Sequence, residues 1–167
     1  MDEIVTPRLR LRRARMDDVE DMHAVLSNPE ATAYWSTPPH TDIEQTREWV
    51  ASMIASSPQE SYDFVVEHRG RVIGKAGFWR LPEVGYIFHP DYWGQGLAFE
   101  ALSAAVDRAF ARFGMSVLTA DCDPHNIASL RLLGKLGFRE VRREKNTWFI
   151  AGQWHDSIFF ELPRPGR

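Results

Sequence analysis

From Arg8 to Arg13 apolar and charged residues alternate, Leu9 and Leu11 against Arg8, Arg10 and Arg12. A period of two is that of a half-buried strand, with the arginines on a solvated face. The period then lengthens. After Asp17 and Asp18, whose charges suit a helix N-terminus, Val19, Met22, Val25 and Leu26 recur at helical spacing as far as Asn28-Pro29. Thr41-Asp42-Ile43-Glu44 has the form of a capping box opened by Thr41, and the stripe Trp49, Val50, Met53, Ile54 carries a second helix towards Ser56-Ser57-Pro58. Residues 62–67 and 72–79 read as a hairpin around His68-Arg69-Gly70-Arg71, because Gly70 can take the positive φ of a tight turn. A strand over 84–88, a loop over 90–96 and a helix bearing Leu102, Val106, Ala109, Phe110 and Phe113 follow. Next come a strand over 117–122 and a helix ending at Gly137. A strand–helix–strand crossover makes its two strands parallel. Residues 139–149 and 153–162 close the chain as an antiparallel pair around Ala151-Gly152, with a frayed tail over 163–167. The expected fold class is α/β (α+β) with a mixed sheet.

One domain spanning residues 1–167 accommodates this order, and the length suffices for a substantial core. Lys and Arg number 20 against 23 Asp and Glu, a net charge of −3, and no basic run forms the stripe that a nucleic-acid backbone requires. Nucleic acid is therefore not an expected partner. Cys122 is the single cysteine, which excludes an intrachain disulfide and a multi-cysteine metal site; it reads as a small buried hydrophobe in a reducing compartment. His40, His125 and His155 lack metal-ligand spacing and read as surface or turn residues, so no metal is expected. The start Met1-Asp2-Glu3-Ile4-Val5 is acidic where a secretory signal is basic. No apolar run nears the roughly 18 residues that span a bilayer. The expected location is cytoplasmic, away from membranes.

The segment Phe88-His89-Pro90-Asp91-Tyr92-Trp93-Gly94-Gln95-Gly96-Leu97-Ala98 joins a predicted strand to a predicted helix. Such a helix start presents unpaired N–H groups and partial positive charge, and the small residues at 94, 96 and 98 let a phosphate approach the backbone. A Walker loop would need Gly-Lys-Ser/Thr, which is missing, and a dinucleotide fingerprint would need Gly where Phe99 stands. The repeated βα units of a nicotinamide-nucleotide oxidoreductase are missing too. On spacing alone, an anion site and a plain tight turn both fit.

Trp93-Gly94-Gln95-Gly96-Leu97-Ala98 resembles the pyrophosphate loop of the GNAT acetyltransferases, and Asn126-Ile127-Ala128-Ser129 with Lys135-Leu136-Gly137-Phe138 resembles their next helix. Thr6-Pro7-Arg8-Leu9-Arg10-Leu11-Arg12, Asn28-Pro29-Glu30, Val72-Ile73-Gly74, Val84-Gly85-Tyr86 and Trp154-His155-Asp156-Ser157 extend the likeness over nearly the whole chain, towards the RimJ/RimL-like branch. The resemblance implies a mixed twisted sheet of about seven strands with four helices, whose central parallel strands splay to admit acetyl-CoA, the cosubstrate. By the same resemblance, backbone groups near Ile87 and Phe88 bind the pantetheine. Amides of Gly94, Gln95, Gly96, Leu97 and Ala98 hold the pyrophosphate, and Asn126 and Ser129 contact the cofactor near its reactive end. Two positions depart from the family. Leu133 stands where many members carry a tyrosine that protonates the departing thiolate, and Phe99 stands where this branch often has a small hydroxyl residue.

A neutral amine attacks a thioester readily once the two are aligned, so the catalytic problem is the proton. A lysine-like amine titrates near 10.4 and an α-amine at about 7.7 to 8.0, so a base helps the former most. Glu83, just before the strand bordering the implied cofactor gap, is the candidate base; a solvated edge charge is its alternative. Ser129 is the candidate for orienting the thioester or protonating the thiolate, against a role in capping the helix that Asn126 begins. Tyr34 and Trp35, between the first two helices, are candidate acceptor contacts, and Trp79 and Trp148 are candidates to border the same pocket or to pack in the core. The expected activity is transfer of an acetyl group from acetyl-CoA to a primary amine, a protein N-terminus or a small molecule, by direct attack in a ternary complex. A non-catalytic acyl-CoA sensor or scaffold is the alternative that Leu133 keeps open. The acceptor and the choice between monomer and homodimer are left open.

Overall fold

The arginine-rich segment near the N-terminus folds as two short strands, β1 (Ile4–Val5) and β2 (Arg10–Arg12). The structure, a computed structural model, describes residues 3–166. Leu9 and Leu11 turn inward as their spacing predicts, but the arginines do not share one solvated face. Arg12 is only 6% exposed. Its guanidinium grips Asp18 at 2.8 Å and Glu67 at 2.9 Å. A buried guanidinium is tolerated when carboxylates meet its fork, and hydrogen bonding by Asp18 raises its pKa above the ordinary value. Asp18 Oδ2 also accepts the Arg15 N–H, closing the single 3₁₀ turn over Met16–Asp18 that leads into helix α1 (Val19–Leu26).

Helix α2 (Ile43–Ala55) starts one residue later than the Thr41 box predicts. Asp42 is the cap: its Oδ1 accepts the Glu44 N–H, while Gln45 Oε1 accepts the N–H groups of Thr41 and Asp42. The reciprocal logic is that of the expected box, shifted by one position so that Gln45 takes the part assigned to Glu44.

A hairpin of β3 (Tyr62–His68) and β4 (Arg71–Arg80) then leads into β5 (Glu83–Phe88). Its two-residue turn places Arg69 and Gly70 at φ 51° and 78°. Helix α3 (Leu97–Phe113), β6 (Val117–Cys122), α4 (Ile127–Lys135), β7 (Arg139–Ile150) and β8 (Gln153–Pro163) complete the chain. The sheet has eight strands in the order β1-β2-β3-β4-β5-β6-β8-β7. The strand beyond the expected seven is β1, two residues long and too short to show a period.

Adjacent β3 residues divide between the two faces. Phe64 and Val66 join Leu102, Ala105 and Ala109 of α3 in one core, whereas Val65 joins Met22, Leu26 and Val50 of α1 and α2 in the other. Period-two and period-3.6 stripes thus meet face to face, giving a sheet with helices on both sides. Leu102 and Leu118 are wholly buried, and each contributes about 2 kcal/mol on transfer from water. Of the tail, Pro163 lies in β8 and the Arg164 N–H donates to Ser116 O at 2.8 Å; Arg167 lies outside the described residues, as do Met1 and Asp2 of the acidic start. Among the described residues, no helix is long and apolar enough to cross a membrane.

The strands β5 and β6 are parallel, as the crossover requires, yet they pair in register at one position, Glu83↔Thr119. The Thr119 N–H donates to Pro82 O there. On its other edge β6 pairs with β8 at every residue from Val117 to Cys122. The sheet therefore splits between β5 and β6, and Glu83 stands at the apex of the split.

Candidate active site

A cleft of about 690 Å³ occupies the split. Its walls come from elements far apart in sequence. The connection between α1 and α2 supplies Tyr34 and Trp35, the strands supply Lys75, Glu83 and Tyr86, and the cap and first turn of α4 supply Asn126 and Ser129. Trp79 and Trp148 also line it, both about half exposed, so they serve the cleft wall rather than the core. The cleft thus brings together Glu83, Ser129, Asn126, Tyr34 and Trp35. Ile87, Phe88 and the 94–98 loop are not among its walls; they follow along the far half of β5 and at the start of α3.

The electrostatics suit a base at the apex. Glu83 is partly buried, and burial followed by the nearby Asp121 carboxylate pushes its pKa above the usual value, with Arg80 opposing. Asp121 Oδ2 accepts the Trp148 indole N–H at 2.9 Å, which fixes that ring at the cleft edge. Asp123 behaves differently: burial pushes it up, but hydrogen bonds with His125 and His155 hold it below the ordinary carboxylate value. His125 is an exposed turn residue, as expected, and His155 is a partly buried partner of Asp123 at 3.1 Å. His40 lies between α1 and α2, its Nδ1 2.7 Å from the buried Thr46 hydroxyl.

At the start of α4, Asn126 Oδ1 accepts the Ser129 N–H at 3.2 Å, so Asn126 is the cap. The Ser129 hydroxyl faces Tyr86 instead, and their oxygens are hydrogen-bonded across the split. Burial raises the Tyr86 pKa above that of an ordinary phenol, so it stays protonated. Cys122 is buried as expected, and burial pushes its thiol up to about 11. A thiol so protonated is no nucleophile near neutral pH. Leu133 is buried and adds only methyl groups to the cleft wall.

Several of these residues escape sequence reasoning. Lys75, within an apolar strand pattern, is 2% exposed and paired with Asp63 at 2.8 Å, its Nζ 5.9 Å from the centre of the Trp35 ring. Tyr86 enters the sequence reading only within the motif Val84-Gly85-Tyr86, three residues after Glu83 on the same strand, with no site role attached to it.

The glycine loop has the geometry of a cradle. Gly94 and Gly96 adopt φ of 70° and 75°, the left-handed region that favours glycine. Gly96 caps the 17-residue helix α3 and brings no side-chain acceptor to its first turn, which leaves donors for an anion. The residues present therefore fit a pyrophosphate. Arg8, expected on a solvated face, braces this loop: Nη1 donates to Gln95 O and Nε to Glu100 Oε1, each at 2.8 Å. The Trp93 indole N–H donates to Phe88 O at 2.9 Å, tying the loop to β5. Phe99 carries the Lys135 ammonium 4.5 Å above its ring, a cation–π contact where the branch often has a hydroxyl.

Comparison with known proteins agrees with this fold. Residues 8–139 match the family model described as acetyltransferase (GNAT) domain. The uncharacterized N-acetyltransferase p20 of Bacillus licheniformis is 28% identical over 97% of this chain and 96% of its own. Spermidine N(1)-acetyltransferase of Escherichia coli (strain K12) is 27% identical over 90% of this chain and 83% of its own. Among solved structures, RimL, a ribosomal L7/L12 α-N-protein acetyltransferase in complex with coenzyme A, has a TM-score of 0.83 at 19% identity and covers 97% of this chain and 98% of its own. The chain belongs to the GNAT acetyltransferase family and is an acetyl-CoA-dependent acyltransferase.

Proposed function

We propose that the protein acetylates a primary amine that enters the cleft from the α1–α2 side and attacks directly, without an acyl-enzyme. The single observation that carries this reading is the position of Glu83: a half-buried carboxylate of raised pKa at the apex of a split that opens onto a cleft with tryptophan walls. Bound acetyl-CoA supplies the activated acetyl group. In this reading Gly94 to Ala98 hold its pyrophosphate, backbone groups of Ile87 and Phe88 meet the pantetheine arm, and Asn126 and Ser129 lie near its reactive end. Glu83 accepts the proton that the amine must lose, directly or through a water, and a carboxylate with a pKa nearer neutrality is the better base. Ser129 donates a hydrogen bond to the sulfur as it leaves.

Tyr34 and Trp35 border the acceptor. Glu83, Asp121, Asp123 and Asp156 outnumber Lys75 around the cleft, a balance that draws in a cationic amine. The spermidine enzyme among the relatives is named for such an acceptor. The single buried thiol fits a reducing cytoplasm. The non-catalytic alternative rests on Leu133 alone, and the hydroxyls of Tyr86 and Ser129 in the same cleft weaken it.

An acceptor screen reading free-thiol release from acetyl-CoA tests the proposal, with spermidine, an N-terminal alanine peptide, lysine and an aminoglycoside as probes. Amine-dependent thiol release with at least one of them is expected. Release that ignores every amine while coenzyme A still binds would overturn the assignment of an amine acceptor.

A further inference from the structure

We infer that Tyr86 is a positioning residue that aims the Ser129 hydroxyl at the departing sulfur, so that a strand tyrosine compensates for the tyrosine that Leu133 replaces. The inference rests on the proposed amine acetylation and names a further participant in it.

Tyr86 and Ser129 belong to opposite walls of the split, one on β5 and the other on the first turn of α4, and their hydroxyls are hydrogen-bonded across it. Either hydroxyl can donate in this pair, and in the arrangement that serves the leaving group Tyr86 donates and Ser129 Oγ accepts. Once Oγ has accepted, the serine's own proton must turn elsewhere. The helix cap makes no demand on it, because Asn126 Oδ1 takes the Ser129 backbone N–H. A neutral thiol is a weak acceptor, and a sulfur gaining negative charge as its bond breaks is a much stronger one. A preset donor aimed at developing charge needs no reorganisation at the moment of reaction.

The chemistry balances without proton transfer from either hydroxyl. The acceptor nitrogen bonds to the carbonyl carbon, the carbon–sulfur bond breaks with its electron pair on sulfur, and the proton shed by nitrogen to Glu83 ends on that sulfur. Tyr86 and Ser129 begin and end the turnover protonated.

The test is a double-mutant cycle on Tyr86→Phe and Ser129→Ala, assayed by thiol release with an amine that the wild-type protein accepts, alongside coenzyme A-induced thermal shifts. Tyr86→Phe is expected to lower kcat about tenfold with KM for acetyl-CoA within about twofold, and to scale the pH–rate profile down without displacing it. The double variant is expected to be no slower than Ser129→Ala, because a residue acting only through Ser129 has nothing left to position. Ser129→Thr, which keeps the hydroxyl, is expected to recover most of what Ser129→Ala loses. Full activity in Tyr86→Phe beside an impaired Ser129→Ala would overturn the inference and leave the proposed function standing, as would losses that multiply in the double variant. Full activity in Ser129→Ala would overturn both the inference and the role given to Ser129. Loss of amine-dependent release from the wild-type protein itself would instead count against the proposed function.

Discussion

A carboxylate becomes a useful base when its surroundings oppose its charge. The surroundings of Glu83 do so, burial and then Asp121 raising its pKa, while the neighbouring Asp123 is held down by its histidine partners. Since the base must be ionised to work, kcat/KM is expected to rise with pH through a midpoint above the ordinary Glu value. Asp121→Asn removes the like charge and should move that limb to lower pH, whereas Glu83→Gln should abolish it and cost about a hundredfold near neutrality. A pH–rate series on the three proteins checks all of this; an unchanged limb in Glu83→Gln assigns the base elsewhere. Arg12 poses the opposite case, a buried cation whose worth is structural. Arg12→Met strands Asp18 without its counter-charge and should cost about 3 to 5 kcal/mol in urea unfolding. The sequence names Glu83 as the candidate base beside an edge charge, but the direction of its pKa and the burial of Arg12, which reads there as one of several surface arginines, come only from the structure.

At the level of elements, the loop before α3 and the contact between α1 and α2 make separate demands. Gly96 sits at φ 75° with space for a methyl group except towards Arg8 Nη2 at 3.4 Å, so Gly96→Ala strains the backbone more than it crowds it. A raised KM for acetyl-CoA with a nearly unchanged kcat is expected, measured at saturating amine; an unchanged KM would show that the cradle does not hold the cofactor. Between α1 and α2, His23 Nδ1 and His40 Nδ1 each lie 2.7 Å from the single hydroxyl of Thr46. That hydroxyl can donate to one ring and accept from the other. Burial, then His23, lowers the His40 pKa, so the unfolded chain binds a proton that the folded chain resists. Stability is therefore expected to be complete above about pH 6.5 and to fall as the pH drops below it, the unfolded histidine value being about 6.5. His40→Asn should flatten the dependence of melting temperature on pH between 7.5 and 5.5.

For the whole molecule, the split sheet means that a ligand seated in the cleft would meet elements from both halves of the chain. A ligand that binds only the folded state at a hundred times its Kd adds about 2.7 kcal/mol, which for a chain of this size raises Tm by roughly 5 to 10 °C. Coenzyme A and acetyl-CoA are expected to do so, NADH and ATP are not, and Gly96→Ala should shrink the shift. A melting experiment with the four ligands decides it.

What the sequence by itself determined is whatever depends on neighbours a few residues apart. Helical stripes, the Gly70 hairpin, the crossover that makes β5 and β6 parallel and the glycine loop before α3 are all written in short-range periodicity and turn chemistry, and the observed elements follow them closely. Resemblance of local motifs to a family added the split. Tertiary structure decided what depends on residues far apart. Glu100 meets Arg8 from 92 positions away and Ser129 meets Tyr86 from 43, so the brace of the loop and the hydroxyl pair have no local signature. The same holds for the buried Lys75–Asp63 pair and for the raised pKa of Glu83, because burial and the charge of Asp121 act through space. A strand's period tells which face a side chain takes, but only the folded sheet tells which charge it finds there.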